Sequence, residues 1–311
     1  MSQLIKIENL IYAYGSKIAV DLPYLEVEEG DLFGLIGADG AGKTSLFRLI
    51  ASLYKPKQGK ITVFGQDTMK DYAKIRQFTG YMPGKFSLYE DLTIKENMNF
   101  FASVFETTVA ENYSLIEEIY VMLKPFENRK AGKLSGGMKQ KLALCSALIH
   151  KPKLLLLDEP TTGVDPASRQ EFWEMLLKLQ KRGITIIVST PYLDEAQMCN
   201  KLALMHKSKI IAQGNTSDFI TNFPKSLFHI KASKMRDLIH ILRDFPHCHS
   251  AYSFGDAIHY QDKRNLTERV IQQELDAYLK KAGFSEVRID KQIPSIEDAF
   301  IDYLHGQEND N

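Results

Sequence analysis

The sequence has few cysteines and no long run of apolar residues, and both shortages exclude classes of protein. The three cysteines, Cys145, Cys199 and Cys248, lie far apart without a CxxC pair. A disulfide framework and a paired zinc site are therefore not expected, and the number is typical of a reducing compartment. No stretch approaches the roughly 20 apolar residues that span a bilayer, and the N-terminus shows no signal peptide. At a membrane, the spanning helices would have to come from another chain.

The sequence also lacks an excess of charge of either sign. Its 39 basic and 39 acidic residues give a formal net charge of zero. General binding of nucleic acid needs a basic face, so nucleic acid is not an expected partner. With 311 residues, 44% of them hydrophobic, the chain has an ordinary globular composition and a length that suggests about two domains.

Short apolar strands alternate with helical segments over residues 1–222. A buried strand is predicted at 31–36 and a helix at 42–53, whereas residues of about 92–150 are mainly helical and form a subdomain. The alternation of strands and helices predicts an α/β domain whose parallel sheet is covered on both faces.

Residues of about 225–306 have a different pattern. The predicted order is strand, helix, strand, strand, helix, strand, with a closing helix at 296–304. That order predicts a small ferredoxin-like α+β domain at the C-terminal end. Residues 307–311 form a polar tail that is expected to fray.

A glycine-rich segment follows the strand at 31–36 and begins the next helix. It fits the phosphate-loop pattern G-x-x-x-x-G-K-[ST]. Glycines let backbone N–H groups converge on phosphate oxygens, and the helix N-terminus adds its positive dipole end. We expect Lys43 to reach the β- and γ-phosphates and Thr44 to ligate Mg²⁺. The residues expected to bind the nucleotide are Gly37, Ala38, Asp39, Gly40, Ala41, Gly42, Lys43, Thr44 and Ser45.

Four leucines precede an acidic pair, Asp158 and Glu159. A buried strand would present both carboxylates at its carboxyl end, where ligands bind in open α/β sheets. We expect Asp158 to hold Mg²⁺, directly or through water, and Glu159 to be the catalytic general base for an attacking water. The alternative interpretation is a solvated strand end, which the presence of a phosphate loop disfavours.

The segment that reads LSGGMKQ, at residues 134–140, lies shortly before the acidic pair. It resembles the signature motif of the ATP-binding cassette family, the nucleotide-binding subunits of ABC transporters. The order of the motifs over about residues 3–222 matches that family as well. The resemblance implies ATP and Mg²⁺ as cofactors, and two cassettes that sandwich two nucleotides. The signature residues, which would close on the ATP of the opposite cassette, are Leu134, Ser135, Gly136, Gly137 and Met138.

The resemblance assigns roles to two further residues. Tyr14 stands where the family has an aromatic residue that stacks on adenine, although a packing role is the alternative. Asp165 matches the loop that faces the partner cassette. Residues 294–300 resemble the closing segment of single-cassette drug-export subunits. The phosphate loop and the signature also resemble those of the first cassette in tandem multidrug exporters.

Partners and a location are also implied by the resemblance. The chain would be the ATP-hydrolysing subunit of an exporter, peripheral at the cytoplasmic face of the cell membrane. It would contact a multispanning permease in another chain near residues 87–93, and it would pair with a second cassette. One alternative is a soluble cassette protein of translation or DNA repair. Another is a nucleotide-gated regulatory cassette without efficient turnover.

Two residues that the family usually carries are replaced. Gly84 stands where a glutamine touches Mg²⁺ and the attacking water, and Pro191 stands where a histidine bonds the γ-phosphate. Lys85 could bring a cation to the phosphates, but an ammonium cannot ligate Mg²⁺. Proline suits the first position of a helix predicted at 191–198, with Thr190 as its cap.

These replacements predict a degenerate ATP site. Positioning and proton-transfer groups typically contribute about 10²–10⁴-fold in rate, so their loss predicts ATP binding with slow turnover. The signature is intact, and we expect it to complete a competent site on a partner cassette. A heterodimer is the favoured assembly, and the symmetric homodimer is the alternative.

Overall fold

The computed structural model describes residues 2–309, and the side chains of residues 2–304. Over this range the chain forms two compact units, residues 2–216 and 217–309, each with its own buried apolar core. Of the predicted polar tail, residues 310 and 311 lie outside the described residues, whereas 307–309 continue the last helix.

The first unit contains a small antiparallel sheet. Its strands are β1 Gln3–Tyr14, β2 Lys17–Glu28, β4 Gln58–Val63 and β5 Gln66–Asp67. They pair in the order β2-β1-β4-β5, with every pair antiparallel. β1 and β2 form a long hairpin that contributes many of its alternate side chains to the core.

A larger sheet forms the centre of the first unit. Its strands are β3 Leu32–Ile36, β6 Thr79–Met82, β7 Leu154–Asp158, β8 Thr185–Thr190, β9 Lys201–His206 and β10 Lys209–Asn215. The order is β10-β9-β3-β8-β7-β6, and all neighbours are parallel except β9 and β10. Every residue of β3, β7 and β8 is buried, as expected for parallel strands that are covered on both faces.

Helices surround the larger sheet. They are α1 Lys43–Ile50, α2 Tyr72–Gln77, α3 Ile94–Val104, α4 Tyr113–Leu123, α5 Gly136–Leu148, α6 Pro166–Lys181 and α7 Leu193–Ala196. A further short helix, α8 Thr216–Thr221, lies where the first unit ends and the second begins. Thr93 and Glu96 form a capping box at the start of α3, which explains why the helical segment begins there.

The second unit is a four-stranded antiparallel sheet with helices. Its strands are β11 Leu227–Lys231, β12 Cys248–Phe254, β13 Ala257–Asp262 and β14 Arg288–Gln292, and its helices are α9 Met235–Asp244, α10 Glu268–Lys281 and α11 Ile296–Asn309. The strands pair in the order β12-β13-β11-β14. The βαββαβ order of elements confirms the predicted ferredoxin-like fold.

The larger sheet determines where a site can form. β6, β7, β8 and β3 are parallel neighbours, so their carboxyl ends meet at one edge of the sheet. Across this edge, Asp158 pairs with Ser189, and Ile36 pairs with Thr190. Within residues 2–309, no helix combines the length and the apolar character that crossing a bilayer requires.

Candidate functional site

The loop between β3 and α1 requires glycine at two positions, because backbone atoms of β9 and β2 lie too close for a side chain there. A Cβ at Gly37 would stand 2.3 Å from the carbonyl oxygen of Met205, and one at Gly42 would stand 2.2 Å from that of Ala19. Gly42 also has a φ of 114° and is the N-cap of α1. The loop therefore lies close to the sheet, and the helix N-terminus that follows leaves N–H groups that an anion could bond.

Lys43 is almost completely buried, and three oxygens surround its ammonium group. Nζ donates to the carbonyl oxygens of Gly37 at 2.7 Å and Ala38 at 3.2 Å. It also forms an ion pair with Oε1 of Glu159 at 3.2 Å. The structure thus brings the predicted phosphate-binding cation and the predicted general base within contact distance.

Ser189 holds the acidic pair in place, and the sequence analysis missed it. Its Oγ donates to Oδ1 of Asp158 at 2.6 Å and accepts from the backbone N–H of Glu159 at 3.0 Å. Glu159 has a φ of 50°, in the left-handed region that a residue other than glycine rarely adopts. Bonds to β8 therefore hold a strained residue at the site. The polar end of the otherwise apolar β8 was the signal that could have identified Ser189.

The oxygen groups at this edge fit a hard cation. Asp158 ends β7, Thr44 lies in the first turn of α1, and a carboxylate with a hydroxyl is the kind of donor set that Mg²⁺ prefers. The Asp158 carboxylate is buried, so its charge is weakly screened. Burial, and next the charge of Asp158, raise the pKa of the nearby Tyr81 hydroxyl.

Tyr14 lies beside the start of α1 with 47% of its surface exposed. Its hydroxyl is 3.3 Å from Oγ of Ser45, and its ring is edge-on to the stacked rings of Tyr12 and Tyr54. One pocket has Tyr14, Lys17, Ile18, Ala19, Lys43 and Glu159 in its lining. The exposed Tyr14 ring at this pocket has the flat apolar face that base stacking requires. Lys17, which pairs with Tyr14 across the β1–β2 hairpin, was not identified from the sequence.

Gly84 lies directly against the strand that carries Asp158. A Cβ at Gly84 would stand 3.1 Å from the carbonyl oxygen of Asp158, and Lys85 beside it is exposed. A side chain at position 84 would therefore begin next to the predicted Mg²⁺ ligand.

The helix predicted after β8 is present, but the predicted bounds of 191–198 are wrong, because it spans only Leu193–Ala196. α7 begins at Leu193 with Tyr192 as its N-cap. Oγ1 of Thr190 accepts from the N–H of Tyr192 at 3.0 Å and donates to Oε2 of Glu195 at 2.6 Å. Thr190 thus closes a turn before the helix instead of capping a helix that starts at Pro191.

The signature lies at the start of α5, against the loop that contains Asp165. Ser135 is the N-cap of α5, and its Oγ accepts from the N–H of Met138 at 3.3 Å. A Cβ at Gly137 would stand only 2.7 Å from Oγ of Ser168. Asp165 caps α6 by accepting from the N–H of Ser168 at 3.0 Å, a bond that lowers the pKa of the Asp165 carboxyl. Among the described residues, no signature residue is in the lining of the pocket around Lys43.

The fold and this site define a phosphate-loop protein with an α/β core. A family model described as ABC transporter matches residues 22–162. The linearmycin resistance ATP-binding protein LnrL of Bacillus subtilis (strain 168) is 35% identical over 218 residues, which are 69% of this chain and 70% of LnrL. The chain belongs to the ABC transporter family, and it is an ATP-binding cassette of the ATPase class.

Two further similarities cover more of the chain. The probable multidrug ABC transporter ATP-binding protein YbhF of Escherichia coli (strain K12) is 38% identical over 292 residues. These residues are 90% of this chain but 48% of YbhF, so the chain spans about half the length of this relative. A solved ATP-binding subunit of an ABC transporter has a TM-score of 0.64 at 27% identity, and the match covers 71% of this chain and 93% of the subunit.

Proposed function

We propose that this chain is the ATP-binding and ATP-hydrolysing subunit of a drug- or multidrug-type exporter. The observation that carries the proposal is the contact of 3.2 Å between Lys43 and Glu159 at the mouth of the phosphate loop. It joins the cation that would hold the γ-phosphate to the base that would activate water. The words multidrug and resistance in the relatives' names support export as the direction of transport.

Different residues of the chain bind the phosphates, hold Mg²⁺ and accept the proton in the proposed reaction. Lys43 and the N–H groups of the loop hold the β- and γ-phosphates, and Lys43 exchanges its contact with Glu159 for one with phosphate. Thr44 and Asp158 would hold Mg²⁺, which supplies neutralising charge at the phosphates when it is bound. Glu159 then accepts a proton from the attacking water, and Ser189 keeps Glu159 and Asp158 in position.

A permease in another chain and a second cassette complete the proposed assembly at the cytoplasmic face of the membrane. An apolar groove supports the contact with the permease, because it adjoins the expected contact region at residues 87–93. Its lining includes Phe86, Leu88, Phe101, Phe105 and Ala143. A groove of this kind suits a short apolar helix of the permease.

The ATP site of this chain is degenerate in the proposal. Neither the glycine at position 84 nor the proline at position 191 has a side chain that can bond phosphate or ligate Mg²⁺. These two residues also favour a second candidate, a regulatory cassette that binds ATP without efficient turnover. Measuring ATP turnover of the assembled transporter with and without Glu159→Gln in this chain distinguishes the two, because only the first attributes part of the hydrolysis to this site.

The nucleotide-binding part is tested by Lys43→Ala. The variant loses charge-assisted contacts worth about 1.5–3 kcal/mol each, so its ATP affinity should fall about 10- to 100-fold. Titration of a fluorescent ATP analogue measures this, and Lys55→Ala, at an exposed lysine, is the control. Unchanged affinity in Lys43→Ala would contradict the assignment of the loop.

The transport part is tested by purifying the chain from its native membranes under mild detergent. We expect a multispanning membrane protein to co-purify in a defined ratio. A chain that purifies with ribosomes or DNA-repair proteins instead would support the soluble class of cassette.

A further inference from the structure

A buried carboxylate joins two loops at the edge of the ATP site. Glu195 on α7 is 3% exposed. Its Oε1 accepts from Oγ1 of Thr161 at 2.6 Å, and its Oε2 accepts from Oγ1 of Thr190 at 2.6 Å. Both threonines are buried. We call Thr161, Glu195 and Thr190 together the Glu195 bridge.

Arg169 supports the bridge from α6. Its Nε lies 3.5 Å from Oε1 of Glu195, and its guanidinium lies over the ring of Tyr192, 4.3 Å from the centroid. Tyr192 is the N-cap of α7, so the arginine contacts both Glu195 and the turn that leads to its helix. Replacing a buried charged group such as Glu195, together with its charged partner, by apolar residues of similar volume often leaves the stability of a protein unchanged or raises it. Stability alone therefore does not explain this arrangement.

Both ends of the Glu195 bridge adjoin nucleotide-site residues. Thr190 ends β8, is followed by Pro191, and pairs with Ile36, the residue that precedes the phosphate loop. Thr161 lies two residues after Glu159, and the N–H of Thr162 donates to the carbonyl oxygen of Glu159 at 3.2 Å. A shift of Glu159 on nucleotide binding would therefore act directly on the bridge.

From Thr161 the contacts continue to the signature of the same chain. The N–H of Val164 donates to the carbonyl oxygen of Thr161 at 3.1 Å, and Asp165 caps α6 through Ser168. Ser168 lies so close to Gly137 that a Cβ on the glycine would overlap it. The turn and the start of α6 can therefore hardly shift without moving the start of α5.

We propose that Glu195 is a positioning residue that couples the ATP site of this chain to its own signature. The inference rests on the proposed function, because the signature acts on the ATP of a partner cassette. Binding of ATP here would then adjust the signature that the partner uses, even where this ATP is cleaved slowly. By linkage, occupation of the signature would change the ATP affinity of this chain by the same factor.

The test is hydrogen–deuterium exchange of the full chain with and without Mg-ATP, at a concentration where light scattering shows a monomer. In the unmodified chain we expect ATP to change the exchange of residues 37–45 and of the signature, residues 134–140. In Glu195→Ala the change at the signature should be lost, whereas ATP affinity and the change at 37–45 persist. Glu195→Gln should retain the change at the signature, because an amide can still bond both threonine hydroxyls.

Two further variants keep the result interpretable. Thr161→Val removes one end of the bridge with little change in volume, and it should also lose the signature response. It takes the place of Glu195→Ala in the test where that variant fails to fold. Glu118→Ala removes an exposed carboxylate that pairs with Lys178 and Arg182, and it should keep the response.

The proposal is overturned if Glu195→Ala or Thr161→Val folds, binds ATP and still shows the signature response. It is also overturned if ATP binds to the unmodified chain without changing exchange at residues 134–140. Failure of the unmodified chain to bind ATP would instead contradict the proposed function, so the two failures are distinguishable.

Discussion

At the scale of single residues, neighbouring protein groups hold the candidate functional side chains of the first unit in place. Backbone oxygens and Glu159 surround the ammonium of Lys43, and Ser189 bonds both Asp158 and the N–H of Glu159. Such fixed groups lower the reorganisation that a charged ligand requires when it binds. In the proposed function, positions 84 and 191 are where such support for the γ-phosphate would be missing.

Restoring the usual family residues at these positions should raise ATP turnover. Gly84→Gln with Pro191→His adds an amide oxygen near the predicted Mg²⁺ ligand Asp158 and an imidazole just after β8. We therefore expect an increase of about 100-fold, the lower bound for one positioned group. The Cβ at position 84 stands 3.1 Å from the carbonyl oxygen of Asp158, so the loop has to shift slightly. Phosphate release by the purified chain measures the rate.

Gly84→Ala is the matched control for that double variant, because it adds the Cβ without the amide, and it should not raise turnover. Vigorous hydrolysis by the unmodified chain, abolished by Glu159→Gln, would contradict the prediction. Lys85 would then be the first residue to substitute.

His150 should make the stability of the first unit depend on pH. Burial lowers the pKa of His150 from 6.5 to about 4, and its ring stacks on Phe105 while Nε2 contacts the carbonyl oxygen of Thr79 at 3.3 Å. The unfolded chain therefore takes up this proton first as the pH falls. The stability that the neutral His150 contributes is fully present above pH 6.5 and is lost as the pH falls from 6.5 to 4. The total loss in the free energy of unfolding is about 3 kcal/mol.

His150→Phe keeps the stacked ring and removes the titrating group. We expect the free energy of unfolding in urea to fall less steeply between pH 6.5 and 4 in this variant than in the unmodified chain. Identical slopes in both proteins would show that His150 titrates alike in the folded and unfolded states.

At the scale of elements, one buried carboxylate attaches the closing helix α11 to the sheet of the second unit. Asp298 lies 2.6 Å from Nδ1 of His259 on β13, and it accepts from the hydroxyl of Tyr252 on β12. Ser295 donates to it through its N–H and its Oγ, which closes the first turn of the helix. Burial raises the pKa of Asp298, but these hydrogen bonds outweigh burial and hold the pKa low.

Asp298→Ala should destabilise the second unit strongly. Loss of the carboxylate leaves the ring of His259 and the hydroxyl of Tyr252 without their hydrogen-bond partner, and each unsatisfied buried group costs about 1–3 kcal/mol. Calorimetry or urea unfolding of the full chain measures the change. Asp276→Ala is the control, since Asp276 pairs with Lys280 on the exposed face of α10, where such pairs contribute about 0.3–0.5 kcal/mol. Similar losses in both variants would contradict the role of Asp298.

At the scale of the whole molecule, the intact signature and the proposed degeneracy of the ATP site predict an asymmetric pair of cassettes. Two copies of this chain would form two identical sites that both lack the glutamine and the histidine. A partner cassette with both residues would form one competent site against Ser135–Gly137 of this chain.

Ser135→Arg in the reconstituted transporter tests the pairing. The bulky cation should block the partner's ATP and stop transport, while ATP still binds at Lys43. Ser135→Ala is the matched control, because it loses the helix cap, worth about 1 kcal/mol, but leaves the space open. Transport at the normal rate in Ser135→Arg would mean that this signature does not complete the working site, and the asymmetric arrangement would be wrong.

Contiguous residues made much of this protein predictable from its sequence. The phosphate loop, the acidic pair and LSGGMKQ are each local motifs, so their residue types and spacing indicate a nucleotide site without knowledge of the packing. Periodicity likewise predicted the α/β core and the ferredoxin-like order of the second unit, because each helix and strand of that order has its own local pattern.

Only the tertiary structure decided which distant side chains meet. Ser189 bonds Asp158, Glu195 bonds Thr161, and Lys17 shares a pocket with Lys43, although long stretches of chain separate most of these pairs. α7 starts at Leu193, after a turn that Thr190 closes by bonding Tyr192 and Glu195, so the preference of proline for the first position of a helix predicted the start wrongly. A side-chain hydrogen bond needs a distance of a few ångströms and a suitable angle. For Ser189 and Asp158, both depend on the register of two parallel strands, and no local pattern specifies that register.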